Sequence, residues 1–498
     1  MIKNIISGIV VGSCLAQADV FEPTVISLSQ HEAAPEWLQD GKLGIYFHWG
    51  VYSVAAYGNE WYPRSIHFEG SGPNKFHREK YGELNEFGYH DLIPLFKAEH
   101  FDADEWAALF KASGACFAGP VAEHHDGFAM WDSAVTPWNA MDMGPKRDLV
   151  GEILTAVRKQ DLKTITTFHH ARNLQRLNRS WKKEHAKGIH KGFKGTFYPY
   201  HPELPTGSAD PKLRMLYGNM PEGQWLEELW LPKLKEVIDA YHPDLIWFDS
   251  TLGKIPMNYR LEFAAYYLNA AEQWEGAQVG IIRKLAAFPD SFSIRDHEKS
   301  REPDILPDVW MTDDTLSTGS WSYTEDLQIK PLYKVVHALI DTVSKNGVVL
   351  LNISPKADGT IPQNQKDALL GLGAWLKQNG EAIYGTRPWI NAAEGPAAAP
   401  EGGLKNAKKF LALEYSAKDI RYTASKDGKT VYAFALGIPG KDESIVLKTF
   451  LEKGIEVDRV ELLNGDAVQW EMSDTGLEVH LITPATEDMA VILRISLN

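Results

Sequence analysis

The sequence predicts an α/β fold: a (β/α) TIM-like barrel, regular or irregular, followed by a C-terminal antiparallel β-sandwich. Three observations predict it. From Trp37 to about Trp389, short apolar runs alternate with stretches of helical periodicity. Beyond Gly403 the text changes to short alternating strands broken by turn residues. Of the 16 tryptophans, 15 lie at or before Trp389 and only Trp470 lies beyond it, so the two parts differ in composition.

The expected barrel strands are Leu43 to Phe47, Ala115 to Ala122, Lys163 to Phe168, Leu245 to Phe248, Val279 to Ile282 and Val348 to Ile353. Between them the 3.6-residue period predicts helices over Asp104 to Lys111, Leu149 to Lys159, Gln224 to Ala240, Tyr259 to Trp274, Leu332 to Ser344 and Gln363 to Lys377. Asp102 and Glu105 have the spacing of a capping box. No GxGxxG follows the first strand, which argues against a dinucleotide-binding sheet. The resulting organisation is a leader over residues 1–18, a catalytic barrel over 19–392, a Gly/Pro/Ala linker over 393–403 and the sandwich over 404–498.

Residues 1–18 combine Lys3, a short apolar run and Ala16-Gln17-Ala18, the pattern of a secretory leader cleaved before Asp19. A second reading takes Val11-Gly12-Ser13-Cys14 as a lipoprotein box, leaving Cys14 lipid-anchored. Either reading implies export, to the periplasm or the outside, with no transmembrane span, because the apolar run is too short to cross a bilayer. The only other cysteine is Cys116, so no disulfide framework exists in the mature fold and stability must come from its core. With 44% hydrophobic residues over 498 positions, the chain has ample material for one. The formal net charge of -15, without a basic cluster, argues against nucleic acid as a partner. The Lys/His-rich stretch over residues 182–191 is a solvated segment or a local basic patch for an anionic polysaccharide.

In a parallel barrel, chemistry sits at the C-terminal strand ends. Those ends read Phe47-His48-Trp49-Gly50, Glu123-His124-His125-Asp126-Gly127-Phe128, Phe168-His169-His170 and Trp247-Phe248-Asp249. Five histidines and an aspartate at four successive ends mark a pocket. A catalytic metal is disfavoured: neighbours in an extended chain point to opposite sides, and no HxH or HExxH is present. Glycoside hydrolysis needs only two carboxylates, with histidines and tryptophans to hold hydroxyls and sugar C–H faces.

The runs Gly44–Ser53 (GIYFHWGVYS), Asn59–Tyr62 (NEWY), His124–Phe128 (HHDGF), Asp244–Asp249 (DLIWFD), Ser344–Gly359 (SKNGVVLLNISPKADG) and Asn379–Trp389 (NGEAIYGTRPW) together resemble the retaining α-L-fucosidases of glycoside hydrolase family 29. The resemblance implies an exo-acting enzyme that releases L-fucose from a fucosylated glycan or fucose-containing polysaccharide, without cofactor or metal. It makes Asp249 the nucleophile and His48, His124, His125, Glu60 and Trp61 sugar contacts. Trp49, Trp131 and Phe248 are candidates for the apolar surface facing the fucose methyl group. His169 stands where many relatives carry a tyrosine, and Arg283 resembles an arginine near the nucleophile. The acid/base departs from the pattern, since Met311 occupies the position where many members have a glutamate after the tryptophan. Glu298 is then the favoured acid/base, Glu60 the alternative, and Asp313 a third carboxylate. Two further readings stay open: an α-glycosidase for a related sugar such as L-galactose, and a carbohydrate-binding pseudoenzyme that has lost its acid.

Overall fold

A computed structural model describes residues 20–498 except 69, 85, 174–210, 219, 399–412, 441–442, 464, 466–467 and 482–488. The leader with its lipoprotein box, the basic stretch over 182–191 and residues 399–403 of the linker lie outside the described residues.

Eight parallel strands close a barrel in sequential order: β1 (Leu43–Phe47), β2 (Phe117–Glu123), β3 (Lys163–Phe168), β4 (Leu245–Phe248), β5 (Gly280–Lys284), β6 (Ile294–Asp296), β7 (Trp310–Thr315) and β8 (Gly347–Ile353). The β8 to β1 seam, Leu43 opposite Val349 and Phe47 opposite Ile353, completes the ring. Its lumen is packed rather than hollow, with Tyr46, Val121, Ile165, Leu245, Trp247, Ile282, Met311 and Leu350 all buried in one cluster. Met311 therefore fills the barrel interior.

The six apolar strand runs form strands as the sequence predicts. β6 and β7 were not among them, and their composition explains why. They carry Arg295, Asp296, Thr312, Asp313 and Asp314, so neither reads as an apolar run, yet Asp296 and Asp313 are buried. The barrel is irregular at the same place. Helices Ala103–Ala112, Leu149–Lys159, Leu231–Tyr241, Met257–Ala271, Leu332–Val343 and Gln363–Asn379 cover the other strands, but the β5–β6 and β6–β7 connections contain no α-helix. The expected helix over Gln224 to Ala240 begins as Glu222–Trp225, passes through a wider turn at Leu226–Trp230 and continues from Leu231. Asp102 caps its helix as its spacing predicts, accepting from the Glu105 N–H at 3.0 Å.

The C-terminal part holds a five-stranded antiparallel sheet, order β13-β16-β11-β10-β9, and a three-stranded one, order β12-β15-β14. The strands are β9 (Arg387–Glu394), β10 (Ile420–Ala424), β11 (Thr430–Ala435), β12 (Ile445–Leu447), β13 (Val457–Leu462), β14 (Gln469–Met472), β15 (Leu477–His480) and β16 (Val491–Leu497). Ile420, Tyr422, Val431 and Leu493 of the first sheet share one core with Ile445, Leu447, Leu477 and Val479 of the second, which makes a sandwich. β9 pairs with β10 and runs from Arg387 to Glu394, into the first two residues of the expected linker, so this sheet begins within the stretch that the sequence reading gave to the barrel.

An ionic cluster fastens the two parts. Asp341, on a barrel helix, accepts from Lys345 Nζ at 3.0 Å and from Arg421 Nε of β10 at 2.5 Å, with Arg301 Nη1 at 3.7 Å. Burial pushes the Asp341 carboxyl up, but Lys345, Arg421 and Arg301 outweigh it and hold the group well below the usual carboxylate range. Among the described residues no helix is long and apolar enough to cross a membrane.

Candidate active site

The strand ends converge on one pocket. His48 follows β1, and its backbone N and its Nδ1 both reach Asn352 Oδ1 of β8, at 2.9 and 2.8 Å. Since the amide oxygen only accepts, Nδ1 carries the proton and Nε2 is left bare. His124 and His125 follow β2. Gly127 turns the chain after them at φ +82°, where an added Cβ would lie 1.8 Å from the Leu216 carbonyl oxygen. His169 follows β3, its N–H bonded to the Glu123 carbonyl at 2.9 Å.

The rings of His48, His124 and His169 pack together, with centroids 5.4, 5.0 and 4.3 Å apart. His125 stacks on Trp61 at 4.3 Å, and Trp61 in turn lies beneath Arg172 at 4.8 Å. Burial is the first cause that lowers all four imidazoles. His48, His124 and His125 fall well below the ordinary value and His169 falls to about 4, so the four are neutral at physiological pH.

Trp247 of β4 packs 5.2 Å from His169, and Trp321 of the loop after β7 packs 5.4 Å from His48. These two, with Trp61, form the aromatic wall. Trp61 is a contact that the sequence predicts, but the candidates for the surface facing the methyl group, Trp49, Trp131 and Phe248, lie elsewhere. Trp49 donates its Nε1–H to the Lys356 carbonyl at 2.7 Å and is packed among Phe96, Phe101 and Trp106. Trp131 donates to Glu236 Oε2 at 3.2 Å and is fully buried against Phe168. Phe248 packs against Phe168 and Phe263 on the outer face of β4. The reason is strand alternation: Trp247 points inward, so Phe248 must point outward.

The same parity displaces Arg283. Its guanidinium turns outward to Asp290, Ser293 and the Leu285 carbonyl, while its neighbour Lys284 turns inward. Sequence reading passed over Lys284, though it shares parity with Ile282 of the lumen, and that parity was the available signal. Lys284 is the hub of the site. Its Nζ lies 3.1 Å from Asp249 Oδ1, 2.9 Å from Glu298 Oε2 and 2.9 Å from Asp313 Oδ2, so each of its three protons has a carboxylate. The nitrogen also sits 4.8 Å from the centre of the Trp247 ring.

Asp249 follows β4, with its N–H bonded to the Phe168 carbonyl at 3.1 Å. Burial pushes its carboxyl up, but the Lys284 ammonium foremost, then His169 and the Ser250 N–H, hold it well below the usual carboxylate range. It is an ionised carboxylate that still opens to the pocket, with 13% of its side chain exposed. Glu298, in the loop after β6, is half-exposed at the rim. The bonds of Asp249 and Glu298 to one nitrogen, 3.1 and 2.9 Å, keep the two carboxylate oxygens within about 6 Å of each other.

Glu60 is buried in the wall, where its Oε2 accepts the Trp321 N–H at 3.2 Å. Burial raises its carboxyl to about 7. Below Lys284, Asp313 accepts from the Tyr46 hydroxyl at 3.1 Å and lies against Asp296. Burial and mutual repulsion raise Asp296 well above its ordinary value, so this pair retains a proton.

The pattern of the family described as Alpha-L-fucosidase matches residues 10–381, and that of the Alpha-L-fucosidase C-terminal domain matches residues 414–496. The chain is similar to the tissue alpha-L-fucosidase of Rattus norvegicus, 32% identical over 71% of this chain and 71% of that protein. It is also similar to the plasma alpha-L-fucosidase of Homo sapiens, 30% identical over 84% of this chain and 79% of that one. Among solved structures, the Thermotoga maritima alpha-fucosidase in complex with fucose superposes with a TM-score of 0.71 at 26% identity, over 95% of this chain and 99% of the other. With barrel and sandwich covered in order by the two halves of one family's pattern, the chain belongs to the α-L-fucosidases.

Proposed function

We propose that the protein is an exo-acting retaining α-L-fucosidase that releases L-fucose from fucosylated glycans by double displacement. The observation that carries the reading is the Lys284 hub, which keeps an oxygen of Asp249 within about 6 Å of one of Glu298. Retaining pairs stand about 5–5.5 Å apart, and inverting pairs need about 6.5–9.5 Å to seat a water between them.

Asp249, ionised and open to the pocket, attacks the anomeric carbon. Glu298 at the rim protonates the departing glycosidic oxygen and then takes a proton from the water that opens the glycosyl-enzyme. The neutral imidazoles of His48, His124, His125 and His169 can each donate to or accept from a hydroxyl, and the tryptophan wall fits the apolar side of a 6-deoxy sugar. Glu60 is the second candidate for the acid, favoured by its near-neutral carboxyl. The leader over residues 1–18 supports export, as a released protein or one anchored through Cys14.

The test is proton NMR of an aryl α-L-fucoside during hydrolysis. The α-anomer of fucose should appear first, and initial release of the β-anomer would overturn the double displacement. Azide should rescue Glu298→Ala on the aryl substrate. Rescue of Glu60→Ala with a wild-type-like Glu298→Ala would transfer the acid role to Glu60. Fucose binding without hydrolysis of either an aryl fucoside or a fucosyl disaccharide would favour the pseudoenzyme reading, and faster turnover of an α-L-galactoside would favour the related-sugar reading.

A further inference from the structure

The three packed imidazoles of His48, His124 and His169 each present one ring nitrogen, and these three atoms lie within 4.8 Å of one another. All three side chains are buried. We propose that this trio is a divalent transition-metal site of the zinc class, whose occupation blocks the sugar subsite and inhibits the enzyme. The chemistry of the donors fits. Nδ1 of His48 is committed to Asn352 Oδ1 at 2.8 Å, and Asn352 Nδ2 is itself anchored to the Trp321 carbonyl at 2.8 Å. A ring nitrogen tied to an oxygen in this way orients the opposite nitrogen as a ligand. Nδ1 of His169 is buried and has no hydrogen-bond partner.

Zinc–imidazole bonds of about 2.0–2.1 Å put tetrahedral ligand atoms about 3.4 Å apart, so modest ring rotations would close the trio around an ion. Three protein ligands leave the fourth position open. Of the charges nearby, the Lys284 ammonium opposes a dication and the Asp249 carboxylate favours it. Among the described residues one other group has comparable ligand spacing, Glu471, Glu478 and His480 on the sandwich, with Glu471 and His480 exposed, and it serves as the control.

The experiment titrates Co2+ into the metal-free full chain and reads the visible d–d absorption of a low-coordinate site, with Zn2+ as competitor. The expected result is one equivalent bound, loss of the band on adding L-fucose, and at least a tenfold weaker Co2+ affinity in His169→Phe, with His480→Ala unchanged. Zn2+ should raise KM for an aryl fucoside without lowering kcat. Circular dichroism of His169→Phe separates loss of a ligand from loss of the fold. The absence of a stoichiometric site in the wild type, a band indifferent to fucose, or loss of the band in His480→Ala would overturn the proposal. The readout is metal binding, so it stands or falls separately from hydrolysis, which is measured in chelator.

Discussion

Replacing Lys284 with methionine tests the electrostatic account of the nucleophile. The substitution keeps the length of the side chain and removes the ammonium that lies 3.1 Å from Asp249. At an effective dielectric near 20, two unit charges at that separation attract by about 5 kcal/mol, and one pH unit is worth about 1.4 kcal/mol. Taken whole, the attraction would move the Asp249 carboxyl by up to about 4 units. His169 and the Ser250 N–H would still favour the ionised form. We expect a rise of at least about 2 units. The sign follows from the role: Asp249 attacks only when ionised, so a raised carboxyl moves the acid limb of kcat/KM upward. In the wild type that limb lies below the working range; in Lys284→Met it should rise toward the ordinary carboxylate range. The assay is the pH profile of kcat/KM on an aryl α-L-fucoside with a good leaving group, which needs no acid and so isolates the nucleophile. Lys284→Arg should move the limb back down. An acid limb in Lys284→Met that overlays the wild type, in a variant with unchanged circular dichroism, would refute the reasoning.

Three further outcomes follow from other groups. Glu60, raised from 4.5 to about 7 by burial, makes the native state lose stability as pH climbs through that window, because the unfolded carboxyl ionises first. The effect corresponds to about 3 kcal/mol, so urea unfolding of Glu60→Gln should fall less between pH 4.5 and 8 than that of the wild type by about this amount. Asp341→Asn should destabilise by about 3–5 kcal/mol in urea, since it leaves Lys345 and Arg421 buried without their carboxylate. Gly127→Ala should lower kcat/KM and thermal stability together, because the new methyl would meet the Leu216 carbonyl oxygen and displace the turn that carries His124 and His125.

Legibility in the sequence tracked the simplicity of each element's surroundings. Lys163–Phe168 and Leu245–Phe248 could be bounded to the residue, the first as a β-branched run, Thr164-Ile165-Thr166-Thr167, and the second as an apolar run, each followed by polar residues. β6 and β7 were invisible for the opposite reason. A strand that lines a reaction site buries charge, and hydrophobic patterning treats buried charge as loop. Within the site, strand ends located His48, His124, His169 and Asp249, but residue type alone did not say which of two neighbours faces the pocket. Arg283 and Lys284 differ by one step of the pleat, as do Trp247 and Phe248. Trp321 had no local signal, since a loop position is fixed only by the folded chain, here by Asn352 and Glu60.

The missing helix beside β6 and β7 separates two tasks that a regular barrel would join. The histidine cluster is held by strand ends locked into the wall, whereas Glu298 hangs from a thirteen-residue connection over residues 297–309. This connection is braced from outside, where Arg301 donates to the Tyr415 hydroxyl at 2.9 Å near the start of the sandwich. On the proposed role of Glu298, this brace ties the trailing domain to the loop that carries the acid. Tyr415→Phe removes that brace from the sandwich side without touching the histidine cluster, and it is expected to change kcat on substrates with poor leaving groups more than KM for an aryl fucoside.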